Sequence, residues 1–113
     1  MSARIRALQR QIERIKAELM RLEELRSGSL SEQFNVCGTP GCRCKQSPPR
    51  KHGPYYQLSY TRRGRSGSRF VKRHQVAAVK RHLRNYARMR ELMDRWIEAA
   101  TELSDLRLQE DGG

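Results

Sequence analysis

Between His74 and Leu108 there is neither a proline nor a glycine, and apolar side chains recur there at helical spacing. Such a stretch predicts one uninterrupted helix of about 50 Å. Val79, Tyr86, Met93 and Ala100 form one seven-residue series. Met89, Trp96 and Leu103 form a second, with Leu83 and Ile97 widening the stripe. A matching pattern opens the chain. Ile5, Ile12 and Leu19 lie seven apart, and Leu8, Ile15 and Leu22 follow each by three, an a/d seam flanked by Arg and Glu. Ser2 is placed to cap this helix and Gly28 to stop it, so it is expected over about 3–26, roughly 35 Å. So narrow a stripe needs another helix to cover it. The expected fold is therefore mainly α: two long helices paired as an antiparallel coiled-coil-like hairpin, with a compact middle segment between them. The broader C-terminal stripe, with Trp96, leaves apolar surface for another protomer, so a homodimer or higher oligomer is expected.

The divisions are 1–28 for the heptad helix, 29–73 for the middle, 74–108 for the long helix and 109–113 for a disordered tail. Ser29-Leu30-Ser31-Glu32 reads as a capping box. Tyr55 to Tyr60 alternates, with Tyr56, Leu58 and Tyr60 on one face. Arg62 to Gly67 reads as a turn and Arg69-Phe70-Val71 as a short return strand, which together make a small β-hairpin with an arginine-laden tip. No internal repeat is visible.

All three cysteines fall within eight residues, and a histidine follows. Cys37, Cys42, Cys44 and His52 offer three thiolates and an imidazole on a loop bent by Gly and Pro, a donor set suited to tetrahedral zinc. Arg43 and Lys45 favour the thiolate form. Two other readings stand beside this one: small buried hydrophobes, or a redox couple of Cys37 with Cys42 or Cys44. A fourth ligand from elsewhere in place of His52 also stays open. No acidic residue lies nearby in sequence, so a closed structural Zn2+ is expected rather than a hydrolytic one. An odd, clustered set of thiols also argues against a secreted disulfide framework.

Cys37-Gly38-Thr39-Pro40-Gly41-Cys42-Arg43-Cys44, followed by His52-Gly53-Pro54-Tyr55-Tyr56, resembles the signature of a family of small bacterial and archaeal proteins. That family is a domain of unknown function with a Cys-Gly-x-x-x-Cys-x-Cys core, a His-Gly-Pro-Tyr-Tyr element, a glycine-bearing turn and a long C-terminal helix. The resemblance spans about residues 30–105 and leaves the heptads as the variable part. It supports the metal ligands, and it implies an association with mobile elements without implying an activity.

Charge points to the partner. The chain of 113 residues carries 24 Lys and Arg against 12 Asp and Glu, a formal +12. Residues 36–90 hold fifteen basic side chains and no acidic one, whereas residues 91–113 hold two basic and seven acidic. Solubility alone mixes the signs, so a stretch of one sign predicts a polyanion. Arg62, Arg63, Arg65 and Arg69 crowd the hairpin, and Lys72, Arg73, Lys80, Arg81, Arg84 and Arg88 continue the basic run. Lys80, Arg84 and Arg88 recur every four residues as a ridge able to track phosphates. Tyr55 or Tyr60, if exposed, would stack on an unpaired base, while Tyr56 and Tyr86 are read as core. His74 and His82 are read as wet helix residues.

The expectation is a cytoplasmic nucleic-acid-binding protein, nucleoid-associated if its target is DNA. DNA is slightly favoured over RNA, and the role is accessory or regulatory in a mobile element. The alternative is a coiled-coil adaptor in a larger nucleoprotein machine. No nucleotide loop, catalytic motif or apolar run of about 20 residues is present, so neither an enzyme nor a membrane span is expected.

Overall fold

The computed structural model of the chain describes residues 2–47 and 50–111. It contains two helices, α1 (Ala3–Arg21) and α2 (Val76–Asp111), and three strands, β1 (Ser29–Asn35), β2 (His52–Arg62) and β3 (Arg65–Val71). The strands form one antiparallel sheet in the order β1-β2-β3. The chain divides into two units: Met1–Leu25 with Arg84–Gly113, and Arg26–Leu83.

In the first unit Ser2 caps α1 as expected, its Oγ accepting from the Arg4 amide at 3.0 Å. Ile5, Leu8, Ile12 and Ile15 are buried, and Leu19 and Leu22 half-buried. Leu8 and Ile12 form a core with Ala99, flanked by Trp96, Ala100, Leu103 and Leu106. Lys16 lies over the Trp96 ring, 5.4 Å from its centroid. Arg4 pairs with Glu102, and Arg88 with Glu18.

The helix register differs from expectation on one side. Met89, Trp96 and Leu103 do turn inward, and the most buried companion line is Leu92, Ala99 and Leu106; of the expected series Tyr86 and Ala100 are half-buried, Ala100 against the core, and only Met93 is exposed. Met93 is 40% exposed and Ile97 60%. Both lines repeat every seven residues. The fold buries Leu92 and Ala99 of the second line, and Ala99 joins Leu8 and Ile12 of α1 in the core.

Helix ends are corrected too. α1 stops at Arg21, about one turn early, because tertiary bonds capture the next segment. The Glu24 carbonyl accepts from Asn85 Nδ2 at 2.8 Å, and the Arg26 amide donates to the His82 carbonyl at 3.2 Å. Gly28, read as the stop, lies beyond the helix against Leu58 and Ser59. α2 begins two residues late, after a short 3-10 turn at Arg73–Gln75, and runs through the expected tail to Asp111. The rest of that tail, residues 112–113, lies outside the described residues.

In the second unit the expected hairpin is a three-stranded sheet. Ser29-Leu30-Ser31-Glu32 is strand and caps nothing, because Gly38, Pro40 and Gly41 allow no helix to follow and Leu30 instead pairs opposite Leu58. Arg62 and Arg65 close the β2–β3 hairpin across a two-residue turn. Arg63 (φ 53°) and Gly64 (φ 77°) both take left-handed backbone there, as a type I′ turn requires.

Register assigns the sheet's two faces, since directly paired residues share a side. Leu30, Tyr56, Leu58, Tyr60, Gly67, Arg69 and Val71 share one face, on which Leu58 and Val71 are buried. The other carries Ser31, Gln33, Tyr55, Gln57, Ser59, Ser68 and Phe70.

Candidate metal centre

The link from β1 to β2 carries the chemistry. Cys37 follows β1, Cys44 sits in a 3-10 turn over Arg43–Lys45 with Cys42 at its head, and His52 is the first residue of β2. Backbone bonds fold the link on itself: the Lys45 amide to the Cys42 carbonyl at 2.9 Å, and the Arg50 amide to the Arg43 carbonyl at 3.0 Å. His52 is held to β1 by pairing with Asn35 across an irregularity in the register. Glycine at position 53 permits this, since its φ is 139° and a β-carbon would come within 2.7 Å of the Gln33 carbonyl oxygen.

The four expected ligand atoms converge, all within 4.8 Å of one another. The Sγ atoms of Cys37 and Cys44 are 3.5 Å apart, and Cys42 Sγ is 3.1 Å from His52 Nε2. Tetrahedral zinc at ordinary bond lengths separates its ligands by about 3.5–3.8 Å, so the donors already stand near the spacing the ion needs. The three thiols are free, which leaves them available as ligands. Cys44 is buried while Cys37, Cys42 and His52 are half-buried, as befits a site closed by its own loop.

Two thiols are driven in opposite directions. The backbone at Thr39 and then the Cys44 and Cys42 side chains bring Cys37 down to about 6, so it is readily a thiolate. Burial pushes Cys44 up. The Cys37 amide donates to Cys44 Sγ at 3.3 Å, a bond that stabilises a thiolate once a cation offsets the burial. Three sulfurs and one imidazole fit zinc better than a hard cation such as magnesium.

The basic residues are displayed rather than paired. Arg62, Arg63, Arg65, Arg69, Lys72, Arg73, Lys80, Arg81 and Arg84 are all exposed and make no ion pair among the described residues. Arg88 departs from this: it is half-buried between Glu18 and Glu91, so the ridge of free cations ends at Arg84. The unit boundaries sharpen the charge reading. Residues 26–83 hold thirteen Lys and Arg against one acidic residue, Glu32, while the other unit holds eleven of each sign. The whole excess of +12 therefore belongs to the sheet-and-loop unit.

Of the two tyrosines considered for stacking, Tyr60 is engaged. Its ring lies against Gly67, where a β-carbon would come within 2.8 Å, and the Arg26 guanidinium sits 5.2 Å from its centroid. Tyr55 is 39% exposed on the opposite face. Phe70, 62% exposed on that same face, was not singled out by sequence. Counting pairs back from the Arg62–Arg65 closure, which places it opposite Gln57, would have found it.

Fold and site together define a small Cys3His domain: a three-stranded sheet whose first connection brings together four side chains that could hold a metal ion, accompanied by two helices. The chain belongs to DUF6788, a domain of unknown function, whose family model matches residues 5–81. The match takes in the N-terminal heptads and stops early in α2, so the shared region lies further toward the N-terminus than the motif resemblance implied. No curated protein and no solved structure matches the chain. Among the described residues no helix is long and apolar enough to cross a membrane.

Proposed function

We propose that this chain is a nucleic-acid-binding protein whose 26–83 unit is stapled by a structural zinc ion on Cys37, Cys42, Cys44 and His52. The ion contributes fold rather than chemistry: with no spare coordination position it fixes the β1–β2 connection and leaves the phosphate contacts to arginine and lysine. The carrying observation is the confinement of the entire +12 excess to one unit, whose eight exposed cations from Arg62 to Arg81 have no anionic partner among the described residues. Unneutralised charge of one sign at that density repels itself and is relieved by a polyphosphate, with release of counterions. The role is accessory or regulatory, and its placement in a mobile element rests on the motif resemblance alone.

The test is binding of purified protein to duplex DNA, single-stranded DNA and RNA across a salt series, with zinc measured on the same sample. Steep loss of affinity with salt, at about one zinc per chain, is expected. Affinity independent of salt would hand the lead to the adaptor reading.

That second reading has its own support. Met20, Ile97 and Leu108 are 85%, 60% and 66% exposed on the two helices, apolar side chains that a docked partner would cover. We propose that α1 and α2 form an antiparallel coiled-coil-like hairpin, and that this surface serves self-association.

A further inference from the structure

Resting on the nucleic-acid reading above, we infer that the open face of the sheet is a platform for an unpaired RNA strand, with bases stacked on Tyr55 and Phe70.

The face is built for bases rather than phosphates. Across all three strands it carries no charged side chain: Ser29, Ser31 and Gln33 on β1, Tyr55, Gln57, Ser59 and Thr61 on β2, and Ser66, Ser68 and Phe70 on β3. The unit's only carboxylate on a strand, Glu32, pairs opposite Tyr56 and so lies on the other side. Tyr55 and Phe70 are diagonal neighbours, because Phe70 pairs with Gln57, two residues along β2 from Tyr55. Both present aromatic surface to solvent, in contrast to Leu58 and Val71 on the opposite face.

Between the aromatics the polar groups are held in place. Gln33 Nε2 donates to Gln57 Oε1 at 3.1 Å, and Gln57 Nε2 donates to Ser68 Oγ at 3.2 Å. This chain of amides and hydroxyls spans the sheet and fixes the amide of Gln57, which is paired with Phe70 and two residues from Tyr55, where it would meet the edge of a stacked base. Cations bracket the platform along the strands. Arg62, Arg63 and Arg65 stand at the hairpin end, and Arg50 and Lys51 precede β2 at the other. Charge at the margins with uncharged stacking surface between them suits a single strand, whose bases turn toward the sheet while its phosphates run past the ends. A duplex keeps its bases stacked inside and has nothing to offer two exposed rings. RNA is chosen over DNA because the face is dense in hydroxyls and amides, partners for a 2′-hydroxyl that both donates and accepts.

The experiment uses the full zinc-loaded protein and oligouridylate of about twelve nucleotides, within the span of single-strand sites. Oligodeoxyuridylate and a duplex of equal length are the comparators. Tyr55→Leu and Phe70→Leu keep an apolar strand residue but remove the aromatic face, and each is expected to weaken RNA binding about five- to a hundred-fold with the salt slope unchanged. Tyr55→Phe is expected to bind like the parent. Far-ultraviolet circular dichroism and zinc content confirm that the variants are folded.

Folded Leu variants that bind RNA as tightly as the parent would overturn the platform, as would a preference for duplex. Equal affinity for the two single strands would overturn the assignment to RNA. If the Leu variants are neutral but binding still falls steeply with salt, nucleic-acid binding stands and this inference alone fails. If no nucleic acid binds, both fail.

Discussion

A methyl group on Gly53 would meet the Gln33 carbonyl at 2.7 Å in backbone that L-residues rarely adopt, so the residue beside His52, a proposed ligand, has little freedom to change. Gly53→Ala is expected to cost about 1–3 kcal/mol and to loosen zinc, read by denaturant unfolding and a competitive chelator titration. Removing a ligand acts more directly. Cys44→Ser is expected to leave the protein with less than about a tenth of an equivalent of zinc, because a hydroxyl is a poor substitute for a buried thiolate. Retention of a full equivalent would show that Cys44 is not a ligand. The four ligands were legible in sequence because they crowd into sixteen residues of Gly- and Pro-bent loop. Tyr55 was legible only as one of two stacking candidates, conditional on exposure, and Phe70 was not singled out. Alternation separates a strand's two faces, but only a non-local element decides which is covered.

The same division between local and non-local signals governs the elements. The inward stripe of α1 was readable because Ile5 through Ile15 repeat within a single helix, whereas β1 has only Leu30 as its inward apolar residue and acquires meaning from Leu58 across the sheet. The α2 register was ambiguous for a different reason: two seven-residue lines flank Met89, Trp96 and Leu103, and α1 selects between them. Leu8, 1% exposed in that core, is the sharpest probe. Leu8→Ala is expected to cost about 2–5 kcal/mol in chemical denaturation while zinc content stays at the parent level.

Acid should act on the same helices. Hydrogen bonds from Arg88 and Arg4 hold the Glu18 and Glu102 carboxyls below the usual carboxylate range. Their folded values lie below their unfolded ones, so the stabilisation is complete above about pH 4.3 and is lost as pH falls through the folded values. Helix stability followed by circular dichroism should decline over that window, and Glu18→Gln should flatten the decline.

At the scale of the whole molecule, two charge-balanced populations would have given a featureless surface, yet one unit is neutral and the other holds the full +12. Substituting Arg62, Arg63 and Arg65 together by Ala should lower the slope of log affinity against log salt by about three, one for each phosphate no longer neutralised, and leave helix content unchanged. An unchanged slope in the folded triple variant would mean that the hairpin does not bind. The exposed apolar residues of α2 make the complementary prediction. Ile97→Glu with Leu108→Glu should hold the protein as a monomer in sedimentation experiments at concentrations where the parent self-associates, with Leu92 and Ala99 still forming the core.

The hairpin turn carries a consequence for how this protein would respond to selection. Arginine at position 63 occupies a left-handed backbone state that asparagine or glycine adopts more cheaply, at a difference of about 1 kcal/mol. Arg63→Asn should therefore raise the melting temperature and weaken nucleic-acid binding in the same molecule. A campaign that screened only for heat resistance would find this substitution early and discard with it a cation of the proposed phosphate-binding surface. Stability and affinity would then be seen to make opposite demands on a single residue.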